Sequence, residues 1–268
     1  MPASASARIR IGVGGWNYEP WRGAFYPKGL PHSRELEYAS CKLTSIEIDS
    51  TYYGSKTPET FARWRDETPD DFVFAVKGPR FATNRRALGE AGPSVERFFK
   101  TGVTELKGKL GPVNWQFAAT KRFDPEDFGA FLELLPSSVE GLAIRHAVEV
   151  RNASFRTAEF VELARAHGVA VVIAGDSAFP LIADPTAPFV YARVMGTTET
   201  ETLGYSGEAL DIWAKRARAW AKGGAPPDLA AVGAPVANVA ERDVFLYVIS
   251  GFKALNPVAA MGLIERLG

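Results

Sequence analysis

Eight times along this chain a short run rich in β-branched and aromatic residues gives way to a longer stretch with apolar residues at helical spacing. No other feature narrows the possible folds as much. The strand candidates are Ile9–Val13, Ser45–Ile48, Phe72–Val76, Val113–Phe117, Ala147–Val150, Ala170–Ala174, Phe189–Arg193 and Val244–Ser250. Between them the pattern predicts helices over Ser33–Cys41 with Ser33 as N-cap, Pro58–Glu67 behind Thr57, Ser94–Leu106, Pro125–Leu135 capped by Asp124, Thr157–His167 closed by Gly168, Glu208–Lys222 and Pro257–Leu267. Only a short helical turn fits between Ser177 and Ala183. Strands separated by crossovers pair in parallel, which leaves a closed barrel or an open doubly wound sheet. The barrel is preferred: no glycine-rich phosphate fingerprint follows the first strand, and polar residues end nearly every strand, as a ring of loops around one mouth requires. The expectation is an α/β protein, a closed (β/α)8 TIM-like barrel forming a single domain over residues 9–268, behind a flexible tail at residues 1–8.

The 268 residues match the size of one such barrel, and 46% hydrophobic residues suffice for a large core. Lysine plus arginine and aspartate plus glutamate number 31 each, so overall charge gives no drive toward nucleic acid or an anionic membrane. The sum says nothing of distribution, and a local basic groove stays compatible with it. A lone cysteine, Cys41, excludes an internal disulfide and a cysteine-built metal cage, and fits a reducing cytoplasm, the expected location. Residues 1–7 are small and polar without an apolar core, which reads as a frayed tail rather than a signal peptide. No apolar run approaches the roughly 20 residues needed to span a bilayer.

Strand side chains alternate between faces, one toward the helices and one into the barrel. In Ile46-Glu47-Ile48-Asp49 the isoleucines suit the helix layer, so Glu47 and Asp49 point inward. By the same rule Asn114 and Gln116, Glu149 and Arg151, Tyr191 and Arg193, and Val73, Ala75 and Lys77 turn inward, and Asp176 follows the sixth strand. The carboxylates Glu47, Asp49, Glu149 and Asp176 then face the cations Lys77, Arg151 and Arg193 at one mouth, with one carboxylate in surplus. Such a ring is either a structural ion-pair network, since buried charges require partners, or a ligand site. Its confinement to the C-terminal strand ends favours a site, with Glu47, Lys77, Glu149 and Asp176 as catalytic candidates.

The first loop, from Gly14 to Pro27, is unusually aromatic. Trp16, Tyr18 and Trp21 are candidates for stacking on a substrate ring, together with Asp49, Gln116, Arg151 and Arg193 as substrate-binding residues, whereas Phe25 and Tyr26 read as packing. The only histidines, His32, His146 and His167, lie away from the mouth, so no metal ligand is assigned and no cofactor is predicted. The chain has no G-x-S-x-G elbow for a nucleophilic serine. Met195-Gly196-Thr197-Thr198 and Ser250-Gly251-Phe252-Lys253 follow the seventh and eighth strands, where many barrels hold phosphate.

These residues also carry a resemblance. Gly14-Gly15-Trp16-x-Tyr18-x-x-Trp21-x-Gly23-x-Phe25-Tyr26-Pro27 resembles the opening motif of the DUF72 (YecE-like) proteins, and Ile46-Glu47-Ile48-Asp49-Ser50-Thr51-Tyr52-Tyr53 resembles their second-strand motif. Phe74-x-Val76-Lys77, Lys109-Leu110-Gly111-Pro112 with Gln116-Phe117, Val148-Glu149-Val150-Arg151, Asp176, and Tyr191-x-Arg193 with Gly196 follow in the same order. The resemblance implies a TIM-like barrel and supplies no reaction. The chain departs from the pattern where the family usually has Asn (Asp49 here), His (Asn84, Asn152 and Met195) and Trp (Phe155), and in the segment from Val248 to Lys253. The lost histidines remove acid–base groups or metal ligands.

Three readings follow. The first is a metal-independent hydrolase, lyase or isomerase using carboxylate acid–base chemistry on a small polyhydroxylated or phosphorylated compound, so that the partner is an anionic or sugar-like small molecule. The second is a non-catalytic small-molecule-binding barrel. The third, a nucleic-acid-processing barrel with aromatic residues stacking on bases, is opposed by the zero net charge and the absence of a basic run. No membrane partner is expected, and oligomeric state is not legible.

Overall fold

The computed structural model describes residues 8–235 and 240–268; the tail at 1–7 lies outside the described residues. Eight parallel barrel strands alternate with helices: β1 (Ile9–Gly14), β2 (Ser45–Ile48), β3 (Val73–Lys77), β4 (Leu110–Gln116), β5 (His146–Glu149), β6 (Ala170–Val171 continued by Ile173–Gly175), β7 (Phe189–Val194) and β8 (Asp243–Val248). Neighbours in sequence are neighbours in the sheet, and β8 returns to pair with β1. Closure runs through β6, whose first segment pairs with β5 and whose second pairs with β7. Arg8 extends the β1 edge: its backbone N–H donates to Asp243 and its carbonyl accepts from Val244.

Alternation along the strands divides the core in two. Ile46, Ile48, Phe74, Val76, Trp115, Val148, Val190 and Leu246 face the helices. Val73, Ala75, Ala147, Val172, Phe189, Tyr191, Phe245 and Tyr247 fill the barrel. The period-two reading of β2, β3, β5 and β7 therefore fixes which polar side chains enter the barrel.

The outer helices are α1 (Glu35–Ser40), α2 (Pro58–Asp66), α3 (Gly92–Phe99), α4 (Pro125–Glu133), α5 (Ala158–Ala166), α6 (Gly207–Ala221) and α7 (Asn256–Leu267). Thr57, Asp124, Thr157 and Ser206 cap four of them by accepting a backbone N–H from three residues on. Three sequence expectations change. Ser33 does not cap α1; it sits inside a 3-10 turn, His32–Arg34, that leads into the helix. The helix expected over Ser94–Leu106 stops at Phe99, because Gly102 takes a left-handed φ of 84° beneath Pro58, and a 3-10 segment follows. No helical turn forms between Ser177 and Ala183, so β6 is followed by irregular chain.

Gly12 shows how tightly β1 and β2 approach, since a Cβ there would overlap the carbonyl oxygen of Ser45. Backbone cannot yield as a flexible side chain can. Gly12→Ala is expected to destabilise the barrel by more than about 3 kcal/mol, read as a lowered urea midpoint at unchanged slope. Gly54→Ala, where a Cβ meets open space at an extended φ of −167°, is expected to stay within about 0.5 kcal/mol.

Candidate functional site

Arg193, on β7, stands at the centre of the barrel's upper layer. Its guanidinium donates to Glu47 of β2 at 2.8 Å and also to Glu149 of β5. Both carboxylates are fully buried and Arg193 is 5% exposed. Glu47 further accepts from the Tyr191 hydroxyl, and Glu149 from the Nε and Nη2 of Arg151 at 2.8 and 2.6 Å. Asn114 of β4 lies between them, its amide donating to Glu47 at 3.3 Å and Glu149 at 3.4 Å. Lys77 of β3, also buried, donates to Gln116 and packs over the Tyr52 ring at 4.7 Å.

The environment sets each group's proton affinity. Burial alone would raise Glu149, but the charges of Arg193, Lys77 and Arg151 override it and hold the carboxyl down at about 2. Glu47 is lowered against the same burial penalty by Arg193, Lys77 and the Tyr191 hydroxyl. Asp49 goes the other way: burial and then the charge of Glu47 push it up to about 7, and in its protonated form it shares a hydrogen bond with Glu47. Burial and the neighbouring Arg193 lower Lys77, against the pull of three carboxylates. Glu47 and Glu149 are thus fixed anions with partnered oxygens, and Asp49 is the carboxyl that changes protonation near neutrality.

Asp49 faces a cleft of about 320 Å³ whose walls include Trp16, Tyr18, Tyr53, Lys56, Trp64 and Lys253. Its Oδ2 lies against Gly14, where a Cβ would come within 2.8 Å, so glycine at the end of β1 makes room for the carboxylate. Gly15 then turns the chain at a φ of 67°, its N–H bonded to the Glu47 carbonyl at 2.8 Å, and delivers Trp16 and Tyr18 to the cleft. Trp16 stands edge-on to Trp64 at 5.0 Å, and the Lys253 ammonium lies 4.5 Å from the Tyr18 ring centroid.

The structure joins Glu47, Lys77, Gln116, Glu149, Arg151 and Arg193 in one array with Asp49, and does not join two other candidates to it. Trp21 is fully buried against Phe25 and Tyr26, with its indole N–H donated to the Lys253 carbonyl at 2.9 Å; it anchors the loop and does not line the cleft. Asp176, at a left-handed φ of 51°, turns outward and accepts from the Trp213 indole at 2.8 Å. Without Asp176 the array holds three carboxylates against three cations, and the surplus inferred from sequence disappears. His146 is a neutral core residue, lowered to about 4 by burial, accepting from Trp115 and bonded to the Pro136 carbonyl. Groups proposed for phosphate are engaged within the protein: Gly196 N–H donates to the Tyr205 hydroxyl, Phe252 N–H to the Thr197 carbonyl, and the Thr197 hydroxyl to Asn256. Among the described residues no group of three or more His, Cys, Asp or Glu side chains is placed to hold a metal ion. Sequence reasoning missed Tyr53, Lys56, Trp64 and Lys253 as cleft walls. Trp64 lies on a helix, where apolar spacing marks it as core; Tyr53 and Lys253 sit in one-turn helical segments at Ser50–Tyr53 and Lys253–Leu255 too short to show a period, and Lys56 lies in irregular chain.

The family model described as "Protein of unknown function DUF72" matches residues 10–268. The UPF0759 protein YecE of Escherichia coli strain K12 is 30% identical over 142 residues, which are 52% of this chain and 48% of that protein. The UPF0759 protein YunF of Bacillus subtilis strain 168 is 27% identical over 41% of this chain and 39% of its own length. The chain thus spans about half the length, or less, of the curated relatives it matches. A DUF72 family protein from Thermotoga maritima MSB8 superposes with a TM-score of 0.74 at 21% identity, covering 97% of this chain and 99% of that one. SacUVDE superposes at 0.55 with 11% identity over 97% and 98%. At these identities the likeness speaks for the barrel fold.

Glu149 has a depressed folded-state pKa, so its contribution to stability is present above its ordinary value of 4.5 and is lost as pH falls toward about 2. Glu149→Gln leaves the buried Arg193 short of one counter-charge. A loss of about 3–5 kcal/mol in a urea titration at neutral pH is expected, with the difference from wild type shrinking below pH 4.5. This reverses the expectation that follows from a surplus carboxylate.

Proposed function

Since the chain belongs to the DUF72 family, we propose that its barrel mouth is the active site of an enzyme acting on a small polyhydroxylated or phosphorylated compound, with Asp49 as the group that transfers the proton. The observation that carries this reading is a carboxyl held near pH 7 at the floor of a cleft with aromatic walls, directly above an array of fixed charges. General acid–base catalysis requires a group that takes and gives a proton at the working pH, and Asp49 meets that requirement where Glu47 and Glu149 do not. Their role in this reading is to hold Arg193 in place, and Glu47 together with burial raises the proton affinity of Asp49. Lys56 and Lys253 supply positive charge for an anionic substrate group, and Trp16 and Tyr18 supply flat apolar walls for a sugar-like ring.

The sign of the pH dependence follows. Below pH 7 Asp49 is neutral and the array is net positive; above pH 7 it is balanced. Affinity for an anionic ligand is therefore expected to fall as pH rises through about 7. Calorimetric titration with a panel of sugar phosphates from pH 5.5 to 8.5 reads this, alongside NMR of each mixture for product. Asp49→Asn is expected to keep the affinity, remove the pH dependence and abolish turnover. Because the folded pKa is raised, Asp49 costs stability as pH rises between 3.8 and about 7, so the variant is expected to be more stable than wild type above pH 7. Binding by wild type without any turnover would leave the non-catalytic binding barrel as the better reading, and pH-independent binding would remove Asp49 from its role.

A further inference from the structure

Many arginines elsewhere on this surface are paired, as in Arg22–Glu35, Arg65–Asp66 and Arg266–Asp211, while the exposed side chains of Arg8, Arg156 and Arg218 are scattered without a carboxylate partner among the described residues. The loops after β2, β3 and β4, with the adjoining α3, concentrate such cations. Lys56, Arg80, Arg86, Arg97 and Arg122 have no carboxylate within 4.0 Å among the described residues. Across the mouth, the loops after β6 and β7 carry Asp176, Glu199 and Glu201 and neither lysine nor arginine; Asp184, also in the loop after β6, is buried and paired with Arg165. A net charge of zero thus conceals a basic excess in the loops after β2, β3 and β4, where Lys56, Arg80, Arg85, Arg86, Lys121 and Arg122 stand against Asp49, Glu90 and Asp124.

The basic sector also holds the two most exposed large hydrophobic side chains among the described residues, Tyr53 at 67% and Phe81 at 60%. The Arg80 guanidinium lies 5.9 Å from the Tyr53 ring centroid and 5.6 Å from that of Phe81. Beneath them a groove of about 110 Å³ is lined by Lys56, Phe81, Ser94 and Arg97. Tyr53 and Lys56 also wall the Asp49 cleft, so rim and cleft form one surface.

We propose that this sector binds single-stranded nucleic acid, phosphates lying along Lys56, Arg80, Arg86 and Arg97 and unpaired bases stacking on Tyr53 and Phe81. Cations converging on one point would fit a small anion; these are strung along several loops, which fits a chain of regularly spaced negative charge. Exposed rings flanked by guanidinium groups suit π-faces that a duplex keeps covered by its own stacking. The surface stands independently of the reading of Asp49: a strand bound on the rim without chemistry in the cleft would leave it intact.

Fluorescence anisotropy of the whole chain with a labelled oligothymidine of roughly 12 nucleotides tests it. Binding is expected at low salt, with affinity falling on a log–log slope near −3, as about four neutralised phosphates give. Arg80→Ser together with Phe81→Ala, both at exposed positions, is expected to weaken binding at least about fivefold while the thermal melt stays unchanged. Lys215→Ser, on the exposed face of α6, is expected to leave binding as it was. No binding at low salt, an equal loss with Lys215→Ser, or a duplex of the same length binding as tightly as the single strand would each overturn the proposal.

Discussion

The guanidinium of Arg193 between Glu47 and Glu149 is the interaction on which the upper half of the barrel depends. Arginine cannot shed its proton inside a protein, so its buried charge must be met, and the two carboxylates that meet it stand on β2 and β5, far apart around the barrel. One cation therefore ties three of the eight strands together through the interior. It is the largest single cause that holds both glutamates as anions against burial, and the charge of Glu47 in turn raises the proton affinities that burial sets for Tyr191, Lys77 and Asp49. Charge of this kind is weak evidence for net stability, because desolvation offsets most of the Coulombic gain. Its effect is on register: a slip of one residue in β2 would carry Glu47 into the helix layer and leave Arg193 facing isoleucine.

Much of this was legible in the sequence because a strand's side-chain period is two. Ile46-Glu47-Ile48 and Val148-Glu149-Val150 each have one inward solution, and the structure adopts it. Legibility fails where the strand ends. Asp176 follows β6 at a left-handed backbone position, and no alternation rule extends across such a turn, so its direction was set by the Trp213 indole on a helix far along the chain. Trp21 failed for a different reason. An aromatic residue in a loop reads equally as a stacking surface or as an anchor, and only the Lys253 carbonyl, more than two hundred residues away, decides between them. Gly102 ended α3 early because of Pro58 packed against it, a tertiary contact that local spacing does not encode.

Asp49 and Gly14 belong together. Oδ2 of the aspartate occupies the space that a side chain at position 14 would fill, and burial together with the charge of Glu47 lets the aspartate keep its proton toward neutrality. An asparagine at position 49 would offer an amide to the same glutamate without titrating. The exchange of one neutral donor for a titrating one alters the chemistry at the floor of the cleft while leaving the surrounding array as it is.

The sorting of charge around the mouth has a kinetic consequence. Thirty-one charges of each sign cancel in sum, but the basic excess in the loops after β2, β3 and β4, facing the acidic loops after β6 and β7, gives the mouth a local field directed across it. Near an extended negatively charged body such a field would exert a torque that leads with Arg80 and Lys56, so that a larger fraction of encounters would begin in the right orientation. The torque acts only within about 8 Å at physiological ionic strength, so this gain in productive collisions is one that added salt would erase.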